Sequence, residues 1–323
     1  MKLDIPSAEY PFRYRTAPRS GNEINGLGVR EAVRPVQIFH SSGRRRVEWE
    51  LLEFYFLLTM PFRLFLSGLV SRWKLRRADG RVARQRTAVI DRGAMSARIK
   101  AQAVRLGAAA AGIGRVLPEA LYQNYDTPFQ FAVSIACPMD YQEMMHVAHP
   151  RGGIETMRAY NETTRVAVDL AAFIRDLGWP ARAYCESADL LHIPLAINAG
   201  LGELGKHGSL INRELGSNFR LATVLTDLPL TPDEPVDIGV DDLCLSCRRC
   251  TTDCPADAIS DGKQMVRGVE KWYVDFDRCV PYFTKTFGCG ICIQVCPWTR
   301  PGRGPSLSST LLNKRRPGTS PVN

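Results

Sequence analysis

The chain of 323 residues has no apolar segment at its N-terminus; its first twenty residues are polar and include Pro6, Pro11 and Pro18. They carry no signal-peptide pattern, and a cytoplasmic location is expected. An uninterrupted hydrophobic run of spanning length is also missing. The longest candidate, Leu51 to Val70, is interrupted by Glu53, Pro61 and Arg63, so a spanning helix would have to bury two charges and a helix breaker. No internal repeat of the period that builds solenoids occurs. The 45% hydrophobic and 23% charged residues are ordinary for a globular chain and leave out a fibre or a wholly disordered polymer.

Charge of both signs is present but uneven. Residues 1–115 carry 22 basic against 9 acidic side chains, and the remainder 20 against 24. Arg44-Arg45-Arg46 precede the apolar stretch, without the pattern that follows a twin-arginine export signal, and Arg72, Lys74, Arg76 and Arg77 come after it. Two readings compete for 44–77: packing on the chain's own domain or on a partner subunit, or a helix resting on anionic lipid, giving peripheral membrane association.

Four regions emerge. Residues 1–92 are basic, irregular and punctuated by proline. Residues 93–240 read as a mixed helix and strand unit, 241–300 hold eight of the ten cysteines, and 301–323 form a Pro/Gly/Ser tail expected to be flexible. Within the second region Met95–Leu106 has helical apolar spacing, and Phe129–Cys137 alternates as a strand does. The best-marked helix carries Val166, Leu170, Phe173, Ile174 and Leu177, with Gly178 suited to its end and Pro180 preventing continuation. Leu221–Leu225 reads as a strand.

The cysteines carry the chemistry. Cys244-x2-Cys247-x2-Cys250-x3-Cys254-Pro255 matches the bacterial ferredoxin run, in which three thiolates wrap one cluster and the fourth reaches a second. Cys279 and Cys289-x2-Cys292-x3-Cys296-Pro297 supply the complementary set. Two [4Fe-4S] clusters are expected, one on Cys244, Cys247, Cys250 and Cys296, the other on Cys254, Cys279, Cys289 and Cys292. Structural zinc also takes four thiolates, but two such runs each ending in Cys-Pro are awkward for tetrahedral sites, and the five histidines are scattered. Neither group offers the Cys-x3-Cys-x2-Cys run of radical enzymes that use S-adenosylmethionine. Cys137 and Cys185 are read as small buried apolar residues.

Residues 198–208, NAGLGELGKHG, contain Gly200-x-Gly202-x-x-Gly205, formally a dinucleotide fingerprint. The acidic residue that should follow about twenty positions on is misplaced, since Asp227 lies farther off, and Gly208 prolongs the glycine pattern. A tight turn and a loop approaching another planar cofactor are the alternatives.

The stretch from IPLAINAGLGELGKHGSLINRELGSNFRLATVLTD through the first cysteine run, then KWYVDFDRCV and CGICIQVCPWTRP, closely resembles the C-terminal half of cobalamin-dependent reductive dehalogenases. FAVSIACPMDY and RAYNETTRVAVDLAAFIRDLGWPAR resemble the same family, so the likeness runs from about residue 95 to 300. Epoxyqueuosine reductases resemble it more distantly. The resemblance implies an α+β protein: a nitroreductase-like α/β core over 93–240 that binds base-off cobalamin, followed by a ferredoxin-like module over 241–300. It implies that Gly200, Leu201, Gly202, Gly205 and Gly208 lie against the corrin, that Tyr160 donates a proton, and that Arg220 is its basic partner. It implies an oxidoreductase acting on a small organohalide or related electrophile. The flavin and ferredoxin modules that some relatives append are missing, so a separate ferredoxin, flavodoxin or reductase would supply electrons. Where the family commonly has an asparagine, this chain has Cys185-Glu186-Ser187. The competing readings are an epoxyqueuosine reductase-like enzyme that docks tRNA on the basic N-terminal third, and a non-catalytic electron-transfer or corrinoid-carrying subunit.

Overall fold

The computed structural model describes residues 20–38, 50–59, 61–185 and 188–315; Arg44 to Arg46 and the Glu186-Ser187 pair lie outside the described residues. In chain order the elements are α1 (Gly21–Ile24), α2 (Glu50–Thr59), α3 (Phe62–Lys74), α4 (Arg92–Arg105), β1 (Ala110–Arg115), β2 (Phe131–Pro138), α5 (Tyr141–Met144), α6 (Pro150–Asp176), β3 (Ala181–Tyr184), α7 (His192–Asn198), β4 (Glu203–Leu204), β5 (Leu210–Ile211), β6 (Phe219–Thr226), α8 (Val240–Ser246), α9 (Arg249–Thr252), β7 (Gln264–Val266), β8 (Val269–Lys271), α10 (Phe276–Lys285), α11 (Ile291–Gln294) and α12 (Gly304–Lys314).

Four strands form the main sheet in the order β1-β2-β6-β3, and each pairing is antiparallel. β2 is buried along seven of its eight residues because both faces of the sheet are covered. Val133, Ile135 and Cys137 pack with Ile99 of α4 and Val166, Leu170 and Ile174 of α6, whereas Ala132 and Ala136 turn to the face carrying Leu195 and Ala196 of α7. Each such aliphatic side chain removed from water contributes about 1.5–3 kcal/mol, and this layer fixes the strand register.

α6 runs over 27 residues, from Pro150 at its first position to the C-cap Leu177, after which Gly178 takes φ 82°. The apolar period marks only its C-terminal half, which lies on the sheet. The N-terminal half is polar in sequence because it buries Glu155, Thr163 and Thr164 with partners: Glu155 accepts from the Asp140 backbone at 2.6 Å and from Arg158, and Thr163 donates to the Ala159 carbonyl at 2.7 Å. Tyr160 therefore sits in mid-helix, not near its start.

The described residues of the N-terminal region pack on the rest of the chain. Asn22 Oδ1 accepts from the Phe276 backbone N–H at 2.8 Å and from the Tyr273 hydroxyl at 2.9 Å, and Gly21 N–H donates to Asp277 at 2.7 Å, so residues 20–22 hold the start of α10. Phe56 of α2 stacks on Phe283 of α10. The apolar stretch divides at Pro61, the N-cap of α3, and Leu64 of α3 is buried while Ser71 reaches Thr164 of α6 at 3.3 Å. No described helix is long and apolar enough to cross a membrane.

The expectation of a flexible tail over 301–323 is corrected. Residues 304–314 form α12, whose Leu307 and Leu311 pack on Ile238, Val240, Trp272 and Trp298. Arg315 pairs with Asp237 and, at 2.6 Å, with Asp242. The two leucines at i and i+4 supply the apolar face that a composition dominated by Ser, Pro and Gly conceals. Residues 316–323 lie outside the described part.

Candidate functional site

Cross-strand pairing fixes where Arg220 points. In the β2–β6 register Val133 opposes Val224, Ile135 opposes Ala222 and Cys137 opposes Arg220. Paired residues share a face, and this face carries α6. The guanidinium of Arg220 accordingly lies over the ring of Tyr160, 4.8 Å from its centroid. Arg220 Nε is buried and has no acceptor among the described residues, an orphaned donor that fits a bound ligand presenting an acceptor. Two residues 60 positions apart in sequence, one at a strand end and one in mid-helix, are thus brought together.

Electrostatic proximity groups the eight thiols into two neighbouring sets. Cys296 lies within electrostatic reach of Cys244, Cys247 and Cys250, and the four line one small cavity together with Lys206, His207 and Trp298. Cys254 is within reach of Cys279, Cys289 and Cys292. Cys292 also senses Cys250, so the two sets are neighbours. Burial pushes Cys244 and Cys250 up to about 11 and Cys296 and Cys279 up to about 12, with the neighbouring thiols adding to the rise. Such thiols keep their protons until a cation takes the charge, which is what iron does when it displaces them. Among the described residues no three His, Cys, Asp or Glu groups converge as a single-ion site requires. The indole N–H of Trp298 and the hydroxyl of Thr251, next to Cys250, are buried without partners, and cluster sulfur is an acceptor suited to both. The residues present fit iron–sulfur clusters.

The frame that holds these thiols is local. Cys244 lies on α8, whose N-cap Gly239 has φ 86°, and Cys292 on α11, whose N-cap Gly290 has φ 90°. Glu203 from β4 accepts the backbone N–H groups of Ile238 and Val240 at 2.6 and 3.2 Å, tying the glycine-rich loop to the start of α8.

That loop lacks the context of a dinucleotide-binding turn. It leads from α7 into the β4–β5 hairpin, so the strand-turn-helix context of a dinucleotide site is absent from it. A Cβ on Gly202, at φ 150°, would lie 2.0 Å from the Ile211 carbonyl oxygen, and one on Gly200 would lie 2.6 Å from that of Glu234. One on Gly205 would meet Ile211 at 2.7 Å, and one on Gly208 would meet Val274 at 2.9 Å. Leu201 is buried in the core with Leu210 and Phe219. Glycine at 200 and 202 is required by the close approach of the chain to itself.

Lys206 and His207 in the same loop have no role in the reading of the sequence above. Both are buried, and a lysine inside a glycine and leucine loop is the signal that could have marked them. Burial drives His207 down to about 4, so its imidazole is neutral. Cys137 is buried beside Thr163, and Cys185 is buried with its carbonyl accepting from His192 Nε2 at 3.1 Å; both stand apart from the two thiol sets.

Known proteins resemble this chain in both sequence and fold. Residues 243–299 match the model of a 4Fe-4S dicluster domain. The tetrachloroethene reductive dehalogenase of Sulfurospirillum multivorans is 33% identical over 169 residues, 49% of this chain and 34% of that protein. A solved reductive dehalogenase, described as suggesting a mechanism for B12-dependent dehalogenation, superposes with a TM-score of 0.73 at 25% identity over 86% of this chain and 46% of that one. The epoxyqueuosine reductase of Salmonella typhimurium is 39% identical over 136 residues, 37% of this chain and 32% of that protein. The chain spans about a third of the length of the curated relatives it matches. Over the matched residues the chain is a relative of the reductive dehalogenases, with the epoxyqueuosine reductases standing further off.

Proposed function

We propose that the chain is a cobalamin- and iron–sulfur-dependent reductase that removes halide from a small organohalide. The observation that carries this reading is the placement of Arg220 over Tyr160 in a chain that also gathers two sets of four thiols. The overall change replaces carbon–halogen by carbon–hydrogen: two electrons and one proton enter, and the halide leaves with the bonding pair. Cys244, Cys247, Cys250 and Cys296 would hold one [4Fe-4S] cluster and Cys254, Cys279, Cys289 and Cys292 the other, and such clusters would supply single-electron transfer from an external ferredoxin, flavodoxin or reductase. Cobalamin without its lower base supplies the reducing chemistry at the carbon–halogen bond when bound to a nitroreductase-like core.

The proton is the part this chain supplies itself. A phenol with a pKa near 10 is a weak acid until its conjugate base is stabilised. A fixed guanidinium over the ring does that, because phenolate charge spreads into the ring that the cation faces. Tyr160 thus delivers its hydroxyl proton to carbon as the halide departs, and Arg220 holds the resulting charge until the proton is restored. The glycine loop contributes to the cofactor site through its half-exposed Gly200 and Gly208, not through missing Cβ atoms.

Anaerobic reconstitution followed by halide measurement under strong reductant tests the reading. Halide release that requires both corrinoid and iron supports it. Reduction of epoxyqueuosine in tRNA without halide release would favour the distant relatives, and stoichiometric corrinoid without turnover on either would indicate a carrier.

A membrane contact accompanies this function. The outer face of α3 leaves Phe62 71% and Trp73 63% exposed, with Phe65, Leu66, Leu69 and Val70 beside them and exposed Arg72, Arg76 and Arg77 at its C-terminal end. Aromatic residues next to cations suit an anionic lipid surface. Sedimentation with phosphatidylglycerol vesicles that weakens with salt supports the contact, and equal recovery of wild type and Trp73→Ser removes it.

A further inference from the structure

Lys206 is 1% exposed, and an ammonium withdrawn from water has to be compensated by nearby negative charge. Nζ donates to the Cys247 carbonyl at 3.0 Å and lies 5.0 Å from the centroid of the Trp272 ring. The carboxylate beside it, Asp261, is 4.0 Å away and 49% exposed, and its other oxygen is 2.6 Å from Arg248. Asp241, which accepts the Trp272 indole N–H, is paired with Lys263 at 2.6 Å. Asp261 is thus engaged by Arg248, Asp241 on the Trp272 side by Lys263, and a carbonyl and a ring face do not offset a full charge.

The remaining neighbours are the thiols. Lys206 lines the cavity of Cys244, Cys247, Cys250 and Cys296; its backbone N–H donates to Cys244, and its charge bears on Cys244 and Cys250. Four thiolates around a [4Fe-4S] core carry a net negative charge that grows by one when the cluster takes an electron. A fixed, poorly hydrated cation beside it favours that uptake. The second set has a different environment: the charges bearing on Cys279, Cys289 and Cys292 are the other thiols and the carboxylate of Asp275.

We infer that Lys206 is an electrostatic tuning residue that sets the two clusters apart, holding the one on Cys244, Cys247, Cys250 and Cys296 at the higher reduction potential. The inference rests on the assignment of two clusters made above. A single electron from the external donor therefore comes to rest beside Lys206, with no bond made or broken and the donor oxidised by one electron. The cluster of Cys254, Cys279, Cys289 and Cys292 is harder to reduce and acts as a step in the path.

Potentiometric titration of the anaerobically reconstituted full chain, followed by electron paramagnetic resonance, tests this. The two signals are assigned with Cys247→Ser, which replaces a ligand of one cluster only. Lys206→Met should lower the potential of the cluster of Cys244, Cys247, Cys250 and Cys296, leave the other nearly unchanged and retain eight irons, and Lys206→Arg should restore most of the difference. Asp261→Asn, at a half-exposed position that leaves the core untouched, should raise the same potential by removing part of the opposing charge. Equal potentials for the two clusters in the wild type, unchanged potentials in both charge variants, or equal shifts in both clusters would overturn the inference. Absence of clusters from the wild-type chain would instead overturn the assignment on which it rests.

Discussion

A Cβ placed on Gly202 would lie 2.0 Å from the carbonyl oxygen of Ile211, far inside van der Waals contact and with rigid backbone on the other side. The hairpin in which Glu203 pairs with Ile211 and Leu204 with Leu210 closes only because residue 202 has no side chain. Gly202→Val should therefore destabilise the apo chain itself, by about 3 kcal/mol or more given the added backbone strain at φ 150°. The check is the urea midpoint before any cofactor is added. An apo variant as stable as wild type that fails only to retain corrinoid would restore the view that the ring occupies this space.

Eight irons per chain should be found after anaerobic preparation, with Cys137→Ser and Cys185→Ser unchanged in iron content. The two residues sit in the layer between sheet and helices, apart from both thiol sets. Stoichiometric zinc with little iron, or loss of four irons from either serine variant, would contradict the sorting of the thiols.

Removing α12 should unfold part of the cluster module. Leu307 and Leu311 cover Ile238, Val240 and Trp298, and Trp298 adjoins Cys296 at the cavity lined by Cys244, Cys247 and Cys250. Leu311→Ala, at a half-buried position, should cost about 1–2 kcal/mol. Truncation after Arg303 should in addition release iron, measured as loss of visible absorbance on gentle warming. Full iron retention by the truncated chain would show that the helix is a passive cover.

The stability of the chain should fall on the acid side of His192. Its Nε2 donates to the Cys185 carbonyl and its Nδ1 accepts from Thr223 Oγ1 at 2.9 Å, so no lone pair is left for another proton, and burial holds its pKa below the ordinary 6.5. A depressed histidine stays neutral when folded, whereas the unfolded chain takes up a proton as pH drops below 6.5. The contribution is therefore full above that value and lost progressively as pH falls below it. Urea midpoints of wild type and His192→Gln compared at about pH 7.5 and pH 5 check it; a slope that the substitution leaves unchanged assigns the acid sensitivity to other groups.

What could be read from sequence was whatever repeats or alternates. The ladder of Val133, Ile135 and Cys137 marks β2 because one face of a strand meets one helix layer, and the cysteine spacing marks the thiol sets because Cys244, Cys247 and Cys250 of one set, and Cys289 and Cys292 of the other, follow one another at three-residue intervals. The N-terminal half of α6 escapes a periodicity reading, since Glu155 and Thr163 are buried with partners that lie elsewhere in the fold. The role of Asn22 at the start of α10 is equally invisible, because its partners are more than 250 residues away. Lys206 is legible only once Cys296 and Cys244 are known to share its cavity, and the glycine pattern does not show that the atom nearest a Cβ at 202 belongs to Ile211.

The proton donor gives the most direct test of function. Tyr160→Phe keeps the ring beneath Arg220 and removes the only transferable hydrogen, so clusters and corrinoid should be retained while halide release falls by roughly 10²-fold or more. Arg220→Lys keeps a charge without the planar group that covers the ring and should retain partial activity, whereas Arg220→Met should resemble Tyr160→Phe. Because the guanidinium lies 4.8 Å from the ring centroid, the two side chains act as one unit, and the double variant should be little worse than either single one. The measurement is a double-mutant cycle on halide release with cofactor content determined for each variant. Losses that multiply would mean that the arginine serves a step independent of the tyrosine. Undiminished turnover by Tyr160→Phe would move the donor to another residue or to water, since no other hydrogen on that side chain can be transferred at neutral pH.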